Sequence, residues 1–305
     1  MNIIESAGLG KRYRRTWALR DCTLAVPDGH LVALVGPNGA GKTTLLHMAV
    51  GLVSPTAGAV RVLAGRPAGS PGALDGTAFV AQNAPLYPNL PVAAMLRVAR
   101  NLNRQWDQPR AEARLAELGI PLDRKAGKLS GGQQAQLALT VALARRPRLL
   151  VLDEPLAALD PVARSDFMAA VLAAVAGEGI SVVLSSHMLA ELDRVADYLI
   201  VLSHGRLQLA GQVTDLLAGH RVLTGPARET PQPAERQCLV HAHRLGAQAQ
   251  LLVKATAAAS PGPPGWQQRP ASLEEIALGY LRAAGDAVPP AAGLSPAALA
   301  AGARS

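Results

Sequence analysis

The sequence is poor in cysteine and contains no long apolar run. Its two cysteines, Cys22 and Cys238, are too few and too far apart for a disulfide framework or a cysteine-based metal site. No stretch approaches the roughly 18 consecutive apolar residues that a membrane-spanning helix needs, and the N-terminus lacks the apolar core of a secretion signal. These absences lead us to expect a cytoplasmic protein that does not itself cross a membrane.

Aromatic and charged residues are also scarce, at 3% and 17% of the 305 residues, whereas apolar residues make up 49%. This composition predicts a folded core built mainly from Ala, Leu and Val, and it argues against disorder over most of the chain. The formal net charge of +8 is compatible with a nucleic-acid partner, an anionic membrane or a solvated surface. Because the basic residues are not interleaved with stacking aromatics, we expect no nucleic-acid partner.

Strand and helix patterns alternate over the first two thirds of the chain, after an N-terminal stretch of short strands. Apolar runs typical of strands buried on both faces occupy residues 30–35, 148–152, 180–185 and 198–203. The predicted helices are residues 44–51, 111–118, 134–145 and 162–176. This alternation predicts a largely parallel α/β sheet, into which a helical block at about residues 85–146 is inserted.

The composition changes after Gly219. Residues 224–237 are rich in Pro and charge and are predicted to be a linker, followed by strands at 238–243 and 250–254. Ser272 and Glu275 fit a capping box that begins a helix, and the last twenty or so residues are predicted to be disordered. We therefore divide the chain into a domain at 1–219, an extension at 220–283 and a tail at 284–305.

Residues 36–44 contain the P-loop pattern G-x-x-x-x-G-K-[ST], between a predicted buried strand and a predicted helix. Backbone amides of such a loop face the phosphates of a nucleotide. Lys42 would bridge the β- and γ-phosphates, and the Thr43 hydroxyl would bind Mg²⁺. The loop alone does not separate ATPases, GTPases and kinases. The predicted nucleotide-binding residues of this segment are Gly36, Asn38, Gly39, Ala40, Gly41, Lys42, Thr43 and Thr44.

Two acids follow the predicted buried strand at residues 148–152. Ligands bind at the carboxyl edge of an open parallel sheet, and Asp153 and Glu154 stand at that edge. We predict that Asp153 holds Mg²⁺, directly or through water, and that Glu154 is the base that activates the attacking water.

Residues 129–133 read Leu-Ser-Gly-Gly-Gln and form the most discriminating segment. Ser130 is a favourable helix cap, and Gly131 and Gly132 expose amides at the start of a helix, which makes a second anion-binding helix N-terminus.

Taken together, these segments closely resemble the nucleotide-binding domain of ABC (ATP-binding cassette) transporters. The P-loop matches the Walker A motif, residues 149–154 (LLVLDE) the Walker B motif, and LSGGQ the family signature. The resemblance covers about residues 3–219. It implies a P-loop NTPase sheet of the ABC ATPase type with antiparallel N-terminal strands and an inserted helical subdomain. It also implies that the chain hydrolyses ATP with Mg²⁺.

The resemblance implies further site residues. Tyr13 matches the aromatic that stacks on adenine, with Trp17 as the runner-up. Gln82 matches the glutamine at the junction with the helical insertion, where it would also contact Mg²⁺. Asp160 ends the loop after Walker B, and His187 matches the switch histidine that contacts the γ-phosphate.

One departure concerns residues 134–136, Gln-Ala-Gln, where the family commonly carries basic residues. We expect this change to alter surface contacts or the electrostatics of the signature helix, with little effect on catalysis.

The family mechanism implies a second ATPase subunit, identical or related, packed head to tail. Ser130, Gly131, Gly132, Gln133 and Asp160 of one subunit would then face the ATP held by the other. Separate membrane permease subunits would hold the chain at the inner face of the membrane. Residues 84–90 are the predicted docking segment, with Tyr87 and Leu90 as apolar anchors.

Residues 272–276 resemble the Leu-Glu-rich helix of many export-type subunits, so we predict a bacterial exporter of the ABC-2-like type, with an importer as the alternative. A soluble ABC ATPase acting on ribosomes or DNA remains open, although neither a second cassette nor a long coiled coil is visible. The signature, and the absence of a guanine-reading N-K-x-D, argue against a plain kinase or GTPase.

Overall fold

A computed structural model describes residues 1–82, 86–157, 159–187, 192–193, 195–227, 238–255 and 265–285. Three sheets are formed by the strands within these ranges. The strands are β1 (Asn2–Tyr13), β2 (Thr16–Pro27), β3 (Leu31–Val35), β4 (Ala57–Val62), β5 (Arg66–Pro67), β6 (Thr77–Val80), β7 (Leu149–Asp153), β8 (Ser181–Ser186), β9 (Tyr198–Ser203), β10 (Arg206–Gln212), β11 (His220–Pro226), β12 (Leu239–Leu245), β13 (Gln248–Lys254) and β14 (Gln267–Pro270). The helices are α1 (Lys42–Ala49), α2 (Pro71–Asp75), α3 (Val92–Leu102), α4 (Gln108–Glu117), α5 (Gly131–Ala144), α6 (Pro161–Glu178), α7 (Val213–Ala218) and α8 (Leu273–Gly285).

The central sheet has the order β10-β9-β3-β8-β7-β6. Its strands run parallel except β10, which forms an antiparallel hairpin with β9. Every residue of β3, β7, β8 and β9 is buried, because both faces of a doubly covered parallel sheet lie in the core. The predicted α/β fold is confirmed.

The N-terminal strands form a separate antiparallel sheet of order β2-β1-β4-β5. Its inner face shares a hydrophobic core with α1 and one face of the central sheet, in which Leu9, Leu19, Leu46 and Ile200 are buried. Helix α1 lies between the two sheets, so the loop that precedes it is fixed from both sides.

The helical insertion has its own small core. Leu96 of α3, Leu115 of α4 and Leu137 of α5 meet there without exposed surface. Helix α5 begins at Gly131, three residues before the predicted start, because Ser130 and Gln133 form a capping box across the two glycines.

The extension is a four-stranded antiparallel sheet of order β12-β13-β11-β14, with α8 packed against it. The predicted capping box of α8 is confirmed: the Glu275 amide donates to Ser272 Oγ at 3.2 Å, and the Ser272 amide donates to Glu275 Oε2 at 3.0 Å. The predicted linker is wrong at residues 224–226, which belong to β11. The predicted linker at 228–237 and the predicted tail at 286–305 lie outside the described residues, whereas residues 284–285 belong to α8.

The core of the extension is continuous with that of the central sheet. Val222, Leu252 and Ile276 belong to the same buried cluster as Leu199 and Val201 of β9. The extension therefore rests on the edge of the central sheet beside β9 and β10. Of the helices within the described ranges, none combines the length and hydropathy that a bilayer crossing needs.

Candidate functional site

The carboxyl ends of four parallel strands meet at one edge of the central sheet. In the strand register Val80 of β6 lies beside Leu152, Asp153 of β7 beside Ser185, and Val35 of β3 beside Ser186. The segments that follow these strands therefore lie side by side. They contain Gln82, Glu154, His187 and the P-loop.

The P-loop is tightly packed where it leaves β3. A Cβ at Gly36 would lie 2.3 Å from the carbonyl oxygen of Leu202, and one at Gly41 would lie 2.6 Å from that of Ala18. Gly41 also has a left-handed φ of 102°, so both positions require glycine. The middle of the loop, Asn38 and Gly39, is exposed. Helix α1 begins at Lys42, two residues before the predicted start, and its cap residue Gly41 has no side chain to occupy the first amides.

Lys42 is buried beneath this loop, and three oxygens surround its ammonium group. Nζ donates to the carbonyl oxygens of Gly36 at 2.8 Å and Pro37 at 3.3 Å, and lies 3.1 Å from Glu154 Oε1. Two hydrogen bonds and an ion pair therefore hold the ammonium group beneath the loop.

Glu154 joins the P-loop to the predicted switch histidine. Its Oε2 lies 3.2 Å from His187 Nδ1, and its side chain is 12% exposed. Lys42, Glu154 and His187 thus form a continuous chain of polar contacts at the sheet edge. Glu154 has a left-handed φ of 44°, an uncommon conformation for a residue with a side chain.

Asp153 is buried beside this chain. Its Oδ1 accepts a 2.7 Å hydrogen bond from the Ser185 hydroxyl, whose oxygen in turn accepts the Glu154 amide at 2.8 Å. Carboxylate, hydroxyl and amide oxygens are the donors that Mg²⁺ prefers, so Asp153, Thr43 and Gln82 form a chemically suitable ligand set at this edge. Ser185 was not singled out from the sequence. The signal was the Ser-Ser pair that follows the apolar centre of the strand.

The predicted adenine-stacking residues lie at the tip of the β1–β2 hairpin. Tyr13 is 47% exposed, with Lys11 Nζ 5.4 Å from its ring centroid. The guanidinium carbon of Arg12 lies 5.7 Å from the centroid of the Trp17 ring, and that ring packs against Gly10. The exposed Tyr13 ring is thus the better placed of the two for stacking, and that role stays a prediction.

The signature residues lie at the N-terminus of α5, and their hydrogen bonds stay within that turn. Ser130 Oγ accepts the Gln133 amide at 3.2 Å, and Gln133 Oε1 accepts the Ser130 amide at 3.2 Å. Gly132 lies against Ala163, at the start of α6. Asp160 caps α6 by accepting the amides of Val162 and Ala163. The structure therefore groups these residues together but does not bring them into contact with Lys42.

Gln136 is buried, which corrects the expectation of altered surface contacts at that residue, whereas Gln134 and Ala135 are half-buried. Its Oε1 accepts a 2.6 Å hydrogen bond from Arg114 of α4, which also donates to Thr140. Gln134 Nε2 donates to the carbonyl oxygen of Leu129. An arginine from the neighbouring helix thus lies against α5 and joins it to α4.

The predicted docking segment is only partly described, because residues 83–85 lie outside the described ranges. Tyr87 is 64% exposed. Leu90 is half-buried and packs against the core of the helical insertion, and its role as an apolar anchor stays a prediction.

Comparisons with known proteins agree with this arrangement. The family model described as ABC transporter matches residues 19–157. The iron(III) import ATP-binding protein FbpC of Pseudomonas fluorescens is 37% identical over 227 residues, which cover 71% of this chain and 63% of that protein. The chain thus spans less than two thirds of that relative.

Two further relatives carry other names. The aliphatic sulfonates import ATP-binding protein SsuB of Shigella flexneri is 38% identical, over 66% of this chain and 77% of that protein. The probable multidrug ABC transporter ATP-binding protein YbhF of Escherichia coli is 34% identical, over 80% of this chain and 43% of that protein.

A solved structure described as the ATP-binding subunit of an ABC transporter superposes with a TM-score of 0.64. It is 28% identical, over 71% of this chain and 92% of that one. Motifs, fold and relatives agree, and the chain belongs to the ATP-binding proteins of ABC transporters, a family of ATP hydrolases.

Proposed function

We propose that this chain is the ATP-hydrolysing subunit of an ABC transporter and that ATP-driven dimer closure powers transport. The observation that carries the proposal is the contact chain Lys42–Glu154–His187 at the carboxyl edge of the sheet. An ammonium at this edge can bind phosphate, a carboxylate can activate water, and an imidazole can contact the transferred phosphate, which suits phosphoryl transfer to water.

Each group has a distinct role in this proposal. Lys42 and the P-loop amides bind the β- and γ-phosphates, and Glu154 orients and deprotonates the attacking water. His187 contacts the γ-phosphate, and Gln82 reports the state of the site to the helical insertion. Thr43, Asp153 and Gln82 would hold Mg²⁺, which would supply positive charge to the phosphate oxygens.

The site needs a second subunit in this proposal. Ser130 and Gln133 bond within their own turn, at the N-terminus of α5, where a helix offers amides to an anion. We infer that these residues, with Gly131, Gly132 and Asp160, complete the site of a partner subunit. The partner is a second copy or a related ATPase.

The proposal places the chain at the inner face of the cell membrane, bound to separate permease subunits. The exposed Tyr87, beside the junction with the helical insertion, is the described residue that supports this docking face. A soluble ABC ATPase acting on ribosomes or DNA is the alternative. It is less favoured because the relatives named above are transport proteins.

The direction of transport stays a prediction. Export was predicted from the helix that begins at Leu273, and YbhF is described as a probable multidrug transporter protein. FbpC and SsuB are described as import proteins and are slightly more similar in sequence. Import is therefore at least as well supported as export.

Identification of the membrane protein encoded beside this chain would decide between transport and a soluble role.

Glu154→Gln tests the composite site. The variant keeps the shape of the side chain but cannot accept a proton from water, so we expect ATP binding to persist, turnover to fall by about 10²–10⁴-fold and a dimer to accumulate. Light scattering with ATP and Mg²⁺ measures the mass, which should double.

The double variant Lys42→Ala/Glu154→Gln is the matched control, and it should remain monomeric because it lacks the ammonium group that binds the γ-phosphate. A Glu154→Gln variant that binds ATP but stays monomeric would contradict the composite site.

A further inference from the structure

Ser185 is a fully buried hydroxyl at the carboxyl end of β8. The strand register sets it between Leu34 of β3 and Asp153 of β7. It therefore lies in the sheet between the strand that leads into the P-loop and the strand that carries the two acids.

Both of its hydrogen bonds go to residues of the hydrolytic site. Oγ donates to Asp153 Oδ1 at 2.7 Å and accepts the Glu154 amide at 2.8 Å. A hydroxyl has one donor hydrogen and two acceptor lone pairs, so one side chain contacts both acids at once.

The two bonds act on different properties of the site. The bond to Asp153 fixes the rotation of a carboxylate in the proposed Mg²⁺ ligand set, and such contacts orient metal ligands. The bond to the Glu154 amide holds that residue at its left-handed φ of 44°, which is strained for a residue with a Cβ. The conformation of Glu154 decides where its carboxylate lies relative to Lys42 and His187.

The same strand contains an internal comparison at its other end. Ser181 is also fully buried, donates to Asp28 Oδ1 at 2.6 Å and accepts the Gly29 amide at 2.7 Å. Ser181 thus makes the same pair of bonds, to a carboxylate and to the next residue's amide, at the sheet edge opposite the nucleotide. Its removal measures what such a hydroxyl contributes to structure alone.

We propose that Ser185 is a positioning residue for ATP hydrolysis, which sets the Asp153 carboxylate for Mg²⁺ and the Glu154 backbone for water activation. This inference rests on the proposed function. It predicts a loss of Mg²⁺-dependent binding and of turnover when the hydroxyl is removed, with nucleotide binding in the absence of Mg²⁺ preserved.

The test compares Ser185→Ala with Ser181→Ala in the full chain. Calorimetry with a non-hydrolysable ATP analogue, once with Mg²⁺ and once with EDTA, gives the ratio of the two affinities. We expect Ser185→Ala to lower this ratio about tenfold and kcat by roughly 10–100-fold, as contacts behind metal ligands typically do. The affinity in EDTA should stay within about twofold of wild type, since the P-loop keeps its own contacts. Ser181→Ala should leave both the ratio and kcat unchanged.

A second pair of variants separates the hydroxyl from its volume. Ser185→Thr keeps the hydroxyl and should retain the wild-type ratio of the two affinities. Ser185→Val has nearly the same shape as Ser185→Thr but no hydroxyl, and its ratio should fall as in Ser185→Ala. This pair also decides the question if Ser185→Ala does not fold.

The proposal is overturned if Ser185→Ala or Ser185→Val keeps the wild-type ratio and kcat, or if Ser181→Ala loses as much. It is also overturned if Ser185→Thr and Ser185→Val behave alike. A wild-type chain that does not hydrolyse ATP would overturn the proposed function itself, which is a distinguishable result.

Discussion

The contact between Lys42 and Glu154 should oppose nucleotide binding. Lys42 donates to the carbonyl oxygens of Gly36 and Pro37 and forms an ion pair with Glu154, so a phosphate that binds Lys42 must compete with these contacts for the ammonium group. Glu154→Gln removes the ion pair and should therefore tighten nucleotide binding. The variant also removes a negative charge near the phosphates, which by itself would tighten binding.

A double-mutant cycle separates these two effects. Glu154→Gln is introduced into the wild type and into a Lys42→Met background, where the ion pair is already absent. Any gain in nucleotide affinity that remains in the Lys42→Met background comes only from the reduced repulsion between residue 154 and the phosphates. The difference between the two gains is the free energy by which the Lys42–Glu154 contact opposes binding.

The size of this difference follows from the geometry of the pair. At 3.1 Å, with side chains only 5% and 12% exposed, the Coulomb energy is about 5 kcal/mol at an effective dielectric constant of about 20. Most of this is offset, because Lys42 gains phosphate contacts and Glu154 regains water. We expect a coupling of about 1.5 kcal/mol, the low end for close charge pairs, which corresponds to roughly a tenfold change in Kd.

The assay is calorimetric titration with ADP, because ATP-driven dimer closure would add its own free energy to the measured affinity. Glu154→Gln should bind ADP more tightly than wild type, and the gain should be about tenfold smaller in the Lys42→Met background. Equal gains in both backgrounds, within about 0.3 kcal/mol, would refute a competition between Glu154 and phosphate for Lys42.

Two further predictions concern the P-loop and the extension. Gly36→Ala should lower the free energy of unfolding by about 1–3 kcal/mol and weaken ADP binding, because its Cβ would lie 2.3 Å from the Leu202 carbonyl oxygen. Chemical denaturation measures this loss, and a variant as stable as wild type would contradict the reasoning. Burial lowers the pKa of His220, the hydrogen bond to the Leu216 carbonyl opposes this shift, and Lys254 adds to it. In the unfolded chain His220 therefore binds a proton near pH 6.5, whereas in the folded chain it does so only at a lower pH. The proton thus favours the unfolded chain, and Tm should fall as the pH drops from 7.5 to 5.5. His220→Gln should reduce this slope in thermal melts, and an unchanged slope would assign the pH dependence to other groups.

The central sheet could be predicted closely from the sequence. A strand buried on both faces contains a continuous apolar run, and β3, β7, β8 and β9 each have one. β11 was missed at residues 224–226, because Gly225 and Pro226 suggested a linker. Pairing with β13 and β14 overrides that local preference, and Gly225 leaves room for the Trp266 ring.

Helix α5 begins three residues earlier than the sequence predicted. Gly131 and Gly132 have low helix propensity, and the predicted helix therefore began after them. The capping box between Ser130 and Gln133 outweighs that propensity by satisfying the backbone amides of these two residues.

By itself, the sequence determined the chemistry available at the site. Motif residues such as Lys42, Asp153 and Glu154 are fixed in type and order by the short segments that contain them, and the strand pattern assigned those segments to one sheet edge. Tertiary structure alone decided which of these groups touch. The Lys42–Glu154 pair, the two bonds of Ser185 and the bond from Arg114 to Gln136 each join separate elements. Such contacts depend on strand register and helix packing to within an ångström, and no local pattern encodes that distance.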